Sequence, residues 1–336
     1  NEFIKFMEKF DENPFRIILE DGEHLIGDGE PAFTVKINKI PKMMDMLTST
    51  SITLGEAYMN GDIEIEGDLY TALNMFLGQM GKFSTDTKKL KNIIFTSKSK
   101  ANQKKEVSSH YDIGNDFYKM WLDETMSYSC GYFKNENDTL YQAQCNKVDR
   151  ILEKLNLSDG MTLCDIGCGW GFLLIEAAKK YNIKGVGITL SREQKAKFEQ
   201  RIKEENLSDR LEVKLLDYRD LPKQHMEFDR VVSVGMIEHV GRGNYEEFMQ
   251  CVKSVLKQGG VFVLHFISAL KEYPGDAWVK KYIFPGGVIP SLREIMQIAG
   301  ELRFYTVDVE SLRRHYNKTL LCWNENFQQH RAEVVE

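Results

Sequence analysis

The chain has 336 residues, 42% hydrophobic and 28% charged, enough for one large core or two medium ones. A net charge of −6 excludes nucleic-acid binding by bulk electrostatics. No apolar run reaches the length of a membrane span, no signal peptide is visible at Asn1, and the six cysteines form no CxxC or CxxH pair, so free thiols in a reducing cytoplasm are expected rather than disulfides or a metal site.

Residues 1–87 read as a small α+β domain. Phe3, Phe6, Met7 and Phe10 have helical spacing. Arg16–Glu20, His24–Ile26 and Phe33–Ile37 read as strands, with turns at Asp21-Gly22 and Gly27-Asp28-Gly29. A helix over Lys42–Leu47, then Leu54–Tyr58, Asp62–Asp68 and Leu69–Gly78, complete the unit. It carries no repeat and no catalytic constellation. Two uses stay open for it: a scaffold or dimerisation module, which would make a homodimer, and a lipid contact.

Residues 88–106 form a basic linker. Seven lysines (88, 89, 91, 98, 100, 104 and 105) stand against Glu106 alone, a net of +6. Leu90, Ile93 and Ile94 can share one helical face with lysines beside it, as in an element that lies on anionic lipid. A solvated linker has the same composition.

Residues 107–336 form the larger domain. It opens on rings: His110, Tyr111, Phe117, Tyr118 and Trp121, then Tyr128-Ser129-Cys130-Gly131-Tyr132-Phe133. Most such rings are core, but ring faces also attract sulfonium or carbocation charge. A helix over Tyr141–Leu155 leads into Leu163-Cys164-Asp165-Ile166-Gly167-Cys168-Gly169-Trp170-Gly171, an apolar strand ending in an acid and three alternate glycines. Helix Phe172–Tyr181 follows. The glycines permit a sharp turn and close approach of a ligand, and the helix aims its first N–H groups at the turn.

The spacing D-x-G-x-G-x-G is not the G-x-G-x-x-G of a dinucleotide site, and the next strand, Gly185–Ile188, ends in Thr189-Leu190-Ser191 where an NAD protein would offer an acid. An acid ahead of the glycines suits S-adenosylmethionine, whose ammonium can use Asp165 directly or through water. Helix Arg192–Glu205, strands Leu211–Leu216 and Asp229–Val234, helix Tyr245–Val255 and strand Gly260–Phe266 continue the alternation. The fold expected is α/β, a doubly wound, mostly parallel Rossmann-like sheet that gathers ligands at the carboxyl ends of its strands. Glu238 follows one strand, His265 and Ile267 end another, and Asp217-Tyr218-Arg219 faces the same crevice.

Taken together, Tyr128-Ser129-Cys130, Asp165–Gly171, Gly187–Ser191 with Gln194, Gly235–Gly241, Leu264–Ile267, Lys281–Gly287 and Leu312–Tyr316 resemble the cyclopropane-fatty-acyl-phospholipid synthases over nearly the whole chain. The related mycolic acid enzymes share the catalytic half. The family's sequences run on past the position of Glu336. The resemblance implies an S-adenosylmethionine-dependent C-methyltransferase that adds a methylene to the cis double bond of an unsaturated membrane phospholipid acyl chain, working in the cytoplasm and peripheral to the membrane. It implies bicarbonate as general base, caged by Cys130, Glu238, His265, Ile267 through its backbone, and Tyr316. It assigns the cofactor to Tyr128, Ser129, Asp165, Gly167, Cys168, Gly169, Trp170, Gly171, Thr189, Leu190, Gln194, Tyr218 and Arg219. The ring-rich segments 111–133 and 278–284 are expected to wall an acyl tunnel. Two other readings compete: a methyltransferase of another lipid or a small polar acceptor, and a non-catalytic lipid-binding protein.

Overall fold

The computed structural model describes residues 2–79 and 114–335. The basic stretch 88–106 and the residues His110 to Ile113 lie outside the described residues. The chain forms two compact units, one built from its front together with Pro274–Ile283, the other from the remainder.

In the front unit, helix α1 (Glu2–Met7) precedes strands β1 (Phe15–Leu19), β2 (Gly22–Ile26) and β3 (Phe33–Ile37). Helices α2 (Met43–Thr48) and α3 (Thr50–Met59), strand β4 (Ile63–Gly67) and helix α4 (Leu69–Gln79) follow. The sheet order is β2-β1-β3-β4, with β1 and β3 parallel and the outer pairs antiparallel. Every second residue of β1 and β3 is buried, as a sheet with one covered face requires. Phe10, Phe15, Phe33 and Phe76 meet edge-on or stacked at its centre, with centroids 5.1–5.7 Å apart.

In the larger unit, helix α5 (Asn115–Trp121) and helix α6 (Leu140–Leu155) precede the sheet. Thr139 and Gln142 close a reciprocal capping box at the start of α6, which fixes where that helix begins. Strand β5 (Thr162–Ile166), helix α7 (Phe172–Lys180), strand β6 (Lys184–Thr189), helix α8 (Arg192–Glu204) and strand β7 (Leu211–Leu215) wind in one direction. A 3₁₀ turn over Tyr218–Gln224 leads back to β8 (Phe228–Val234), the short helix α9 (Ile237–Val240), helix α10 (Tyr245–Val255) and β9 (Leu256–His265). The order β7-β6-β5-β8-β9 is parallel throughout. It reverses between β5 and β8, so the crevice opens beyond Asp165 and Gly235. One apolar layer, with Leu155, Leu174 and Phe198, covers one side of the sheet; another, with Phe248, Val252 and Ile295, covers the other.

Sequence and structure differ in places. Strand β9 begins at Leu256, because Phe228 pairs with Leu256 and Arg230 with Val261; the ladder skips a bulge containing Gly259 at φ +75°. Helices α5, α9, α12 (Leu292–Glu301) and α13 (Arg313–Gln329) add to the elements read from the sequence. Between them, helix α11 (Ala277–Tyr282) belongs to the front unit, where it packs on α3. Helix α14 (Arg331–Val335) closes the described chain.

Candidate functional site

Two cavities reach the carboxyl end of the parallel sheet, and the second also extends along the edge strand β9. The first is built on the glycine loop. The backbone N–H groups of Gly167 and Cys168 both donate to the Ile188 carbonyl at 3.0 Å, which ties the loop to the end of β6. Gly167, Gly169 and Gly171 all have positive φ (+85°, +54° and +83°). Their surroundings differ. A Cβ on Gly167 would meet the Met236 side chain at 2.7 Å, and one on Gly171 would meet the Phe198 ring at 2.0 Å. A Cβ on Gly169 meets nothing within 4 Å. So Gly167 and Gly171 are required by the protein's own packing, while Gly169 keeps ligand space open.

Asp165, 3% exposed, lines this cavity, and its Oδ1 is buried without a hydrogen-bond partner. Thr189 Oγ1 donates to Gln194 Oε1 at 2.7 Å and accepts the Ser191 N–H at 3.1 Å; Ser191 caps α8. Trp170 is buried and its indole N–H donates to Asn115 Oδ1 at 2.7 Å. Arg219 is committed within the protein. Its guanidinium makes a bidentate pair with Asp217 at 2.8 and 2.6 Å and lies 5.4 Å from the centre of the Tyr218 ring. It orders the turn that presents Tyr218, whose hydroxyl is buried with no partner. Tyr128, Ser129, Cys168 and Leu190 complete the lining. All thirteen positions expected at the cofactor thus face one cavity.

The second cavity collects Cys130, Glu238, His265, Ile267 and Tyr316. Glu238 stands on α9, 3% exposed. Its Oε1 accepts the Ile267 N–H at 2.7 Å, while Oε2 is buried without a partner. His265 ends β9 with Nδ1 sealed and unpartnered. Neither is a satisfied core residue. Cys130 is 6% exposed; its thiol lies 3.2 Å from the Gly131 carbonyl and 3.8 Å from that of Leu312, with the Thr319 side chain beside it. Apolar groups such as Phe262, Leu264, Phe266, Phe284 and Ile295 form much of the remaining wall. Of the rings expected at a tunnel, Tyr128, Tyr132 and Phe284 line this cavity. Tyr118 and Trp121 pack behind Tyr128, with Trp170 and Trp323.

Burial governs the site's protonation. Desolvation raises the Asp165 carboxyl to about 7 against the opposing pull of Lys147, and raises Glu238 to about 7 against the Ile267 N–H. It pushes the Cys130 thiol up to about 11 and lowers His265 to about 4. The Tyr316 hydroxyl is also raised by burial. Near neutral pH the second cavity therefore offers a neutral imidazole, a thiol and a phenol as hydrogen-bonding groups.

The two cavities share a wall of Tyr128, Ser129, Lys147 and Gly235. Lys147 is absent from the residues expected at the site. The residue is 4% exposed, and its ammonium donates to Ser129 Oγ at 2.8 Å. One turn earlier, Gln144 Nε2 reaches the carbonyls of Ser127 and Ser129 at 3.3 and 2.9 Å. A signal was present: Gln144 and Lys147 fall on the same face of α6 as Ile151 and Leu155, where a solvated helix would carry apolar residues. Among the described residues no group of three His, Cys, Asp or Glu could hold a metal ion.

The unpartnered carboxylate oxygen of Asp165, the open space over Gly169 and the free Tyr218 hydroxyl suit a ligand with a cationic head and a planar ring. Comparison with known proteins agrees with that geometry. The profile of the mycolic acid cyclopropane synthetase family matches residues 98–336, and a domain of unknown function matches residues 3–88. A probable fatty acid methyltransferase of Pseudomonas putida is 39% identical over 342 aligned positions, covering 96% of this chain and 83% of that protein. The cyclopropane-fatty-acyl-phospholipid synthase of Escherichia coli K12 is 37% identical over 326, covering 94% and 83%. Among solved structures, mycolic acid cyclopropane synthase CmaA1 complexed with SAH and CTAB superposes with a TM-score of 0.65 at 34% identity, covering 69% of this chain and 85% of that one.

Proposed function

Because this chain belongs to the mycolic acid cyclopropane synthetase family, we propose that it uses S-adenosylmethionine to build cyclopropane rings on the cis double bonds of unsaturated phospholipid acyl chains, with bicarbonate as the proton acceptor. One observation carries the reading. The cavity of the glycine loop and the cavity of Cys130, Glu238, His265, Ile267 and Tyr316 abut along Tyr128, Ser129, Lys147 and Gly235. A donor in the first can meet an apolar acceptor in the second.

Bound at the glycine loop, S-adenosylmethionine would supply an electrophilic methyl group. Asp165 would hold its amino-acid end, Gly169 would leave room for it, and Tyr218 would pack beside its base. Tyr128 lines both cavities, and its ring would stabilise positive charge that develops on the acyl chain. With the acyl chain bound, the apolar groups Phe262, Leu264, Phe266 and Phe284 would keep out water that would otherwise capture that charge. In the second cavity, bicarbonate would accept the proton. His265 and Tyr316 would hold it by hydrogen bonds, and Cys130 through its thiol. Glu238 would act mainly by fixing Ile267, since a bare carboxylate repels a small anion.

Phospholipid stays in its bilayer, so the same reading brings the protein to the membrane surface. The net +6 of residues 88–106 and the exposed Tyr70, Leu73 and Leu77 on α4 support such a contact. Among the described residues no helix is long and apolar enough to cross a membrane.

The test is incubation with unsaturated phospholipid vesicles and methyl-trideuterated S-adenosylmethionine, followed by mass spectrometry. Ring closure removes one deuteron, so the product keeps two per double bond. Retention of all three marks simple methylation, and no incorporation rejects the enzyme reading. Carbonate-free buffer should slow turnover, and added bicarbonate should restore it.

A further inference from the structure

Lys147 remains to be explained. A lysine that is only 4% exposed carries its charge at a cost unless it is paired. Lys147 donates a hydrogen bond to the neutral Ser129 hydroxyl; its strongest charge partner is the half-buried Asp123, with Asp165 next among the carboxylates, and neither forms an ion pair with it. On the same cavity wall stands Asp165, an equally buried carboxylate with its Oδ1 unpartnered. The two charges are close enough to influence one another's protonation, yet they form no salt bridge. Two opposite, buried, incompletely satisfied charges facing one cavity form a complementary site for a ligand carrying both signs.

We propose that Lys147 and Asp165 clamp the α-amino-acid end of the cofactor, Lys147 receiving its carboxylate and Asp165 its ammonium. This rests on the S-adenosylmethionine reading above and deepens it. Opposed charges recognise a zwitterion and reject a molecule carrying only one of its signs, because the unmatched side chain would remain buried and unpaired. Gln144 and the Ser129 hydroxyl hold the loop that bears Tyr128 and Cys130 against the same helix. The clamp therefore also sits at the wall between donor and acceptor. Filling it with the amino-acid end directs the rest of the ligand along the glycine loop toward Tyr218.

The test is calorimetric binding of S-adenosylmethionine and of decarboxylated S-adenosylmethionine, which keeps the sulfonium and amine but lacks the carboxylate. Wild-type protein should prefer the carboxylated ligand by about ten- to a hundredfold, the scale of one charge-assisted hydrogen bond. Lys147→Met should erase that preference by weakening the carboxylated ligand while leaving the decarboxylated one within about threefold. Equal weakening of both would overturn the clamp and leave Lys147 a support for the Ser129 loop. Lys147→Gln, which keeps a donor for Ser129 but removes the charge, serves as the readout if Lys147→Met does not fold; a retained preference there overturns the proposal too. Failure of the wild type to bind either ligand would instead reject the cofactor reading.

Discussion

Glu238 gives one carboxylate oxygen to the Ile267 N–H at 2.7 Å and leaves the other buried with no partner. The carboxyl thus joins α9 to the chain leaving β9, across the strands that bound the second cavity. Burial raises it from 4.5 to about 7. The folded chain therefore holds this proton more tightly than the unfolded chain. Between pH 4.5 and about 7 the folded state binds more protons, so Glu238's contribution to stability falls as pH rises through that window. Glu238→Gln keeps the acceptor for Ile267 without the charge. It should be more stable than wild type at about pH 8, by on the order of 2–3 kcal/mol, with the difference shrinking toward about pH 4. Urea unfolding at several pH values measures this; a difference independent of pH would contradict it.

The glycine loop predicts two different failures. Gly169→Ala puts a methyl into open space at φ +54°, a backbone cost of about 1–2 kcal/mol. The domain should fold and lose affinity for S-adenosylmethionine. Gly171→Ala drives a methyl to 2.0 Å from the Phe198 ring, so it should unfold at markedly lower temperature. Calorimetry and thermal melting separate the two. A Gly169→Ala protein with normal affinity would show that the loop's middle glycine serves only the turn.

Cys130 should behave as a thiol, not a nucleophile. It is 6% exposed and pushed up to about 11 by burial. Iodoacetamide at about pH 8 should leave it unmodified in the folded protein while labelling the half-buried Cys145 and Cys322 faster. Peptide mapping reads this directly; rapid alkylation of Cys130 would remove the hydrogen-bonding role assigned to it.

In the front unit, Gly55 lies inside α3 against Trp278 of α11. A Cβ there would sit 2.4 Å from the indole ring. Alanine is favoured over glycine in a helix interior by about 1 kcal/mol, but here the ring must move. Gly55→Ala should lower the melting temperature and speed trypsin cleavage after Lys280 and Lys281, because the Lys281–Glu56 pair depends on the same docking. Unchanged proteolysis would mean that α11 holds without the Trp278 contact.

Local chemistry made much of this protein legible. Strand, acid, alternate glycines and helix are neighbours in sequence, so Asp165, Gly169 and the parallel β/α alternation could be read directly; periodicity fixed most strand centres to within a residue or two. The resemblance supplied Cys130, Glu238, His265 and Tyr316 as a set. Their meeting in one cavity is a property of the tertiary structure. Gly131 N–H donates to Thr319 Oγ1 across 188 positions, and Phe133 N–H donates to His315 Nδ1 across 182, so α13 holds the Cys130 loop from the far end of the chain. Only the fold divided the three glycines into two packing positions and one ligand position, because a missing Cβ reads the same whether it faces Phe198 or open space. Only the fold committed Arg219 to Asp217. And only the fold buried Lys147 beside both cavities: a lysine looks solvated in any sequence until the elements packed around it take its water away.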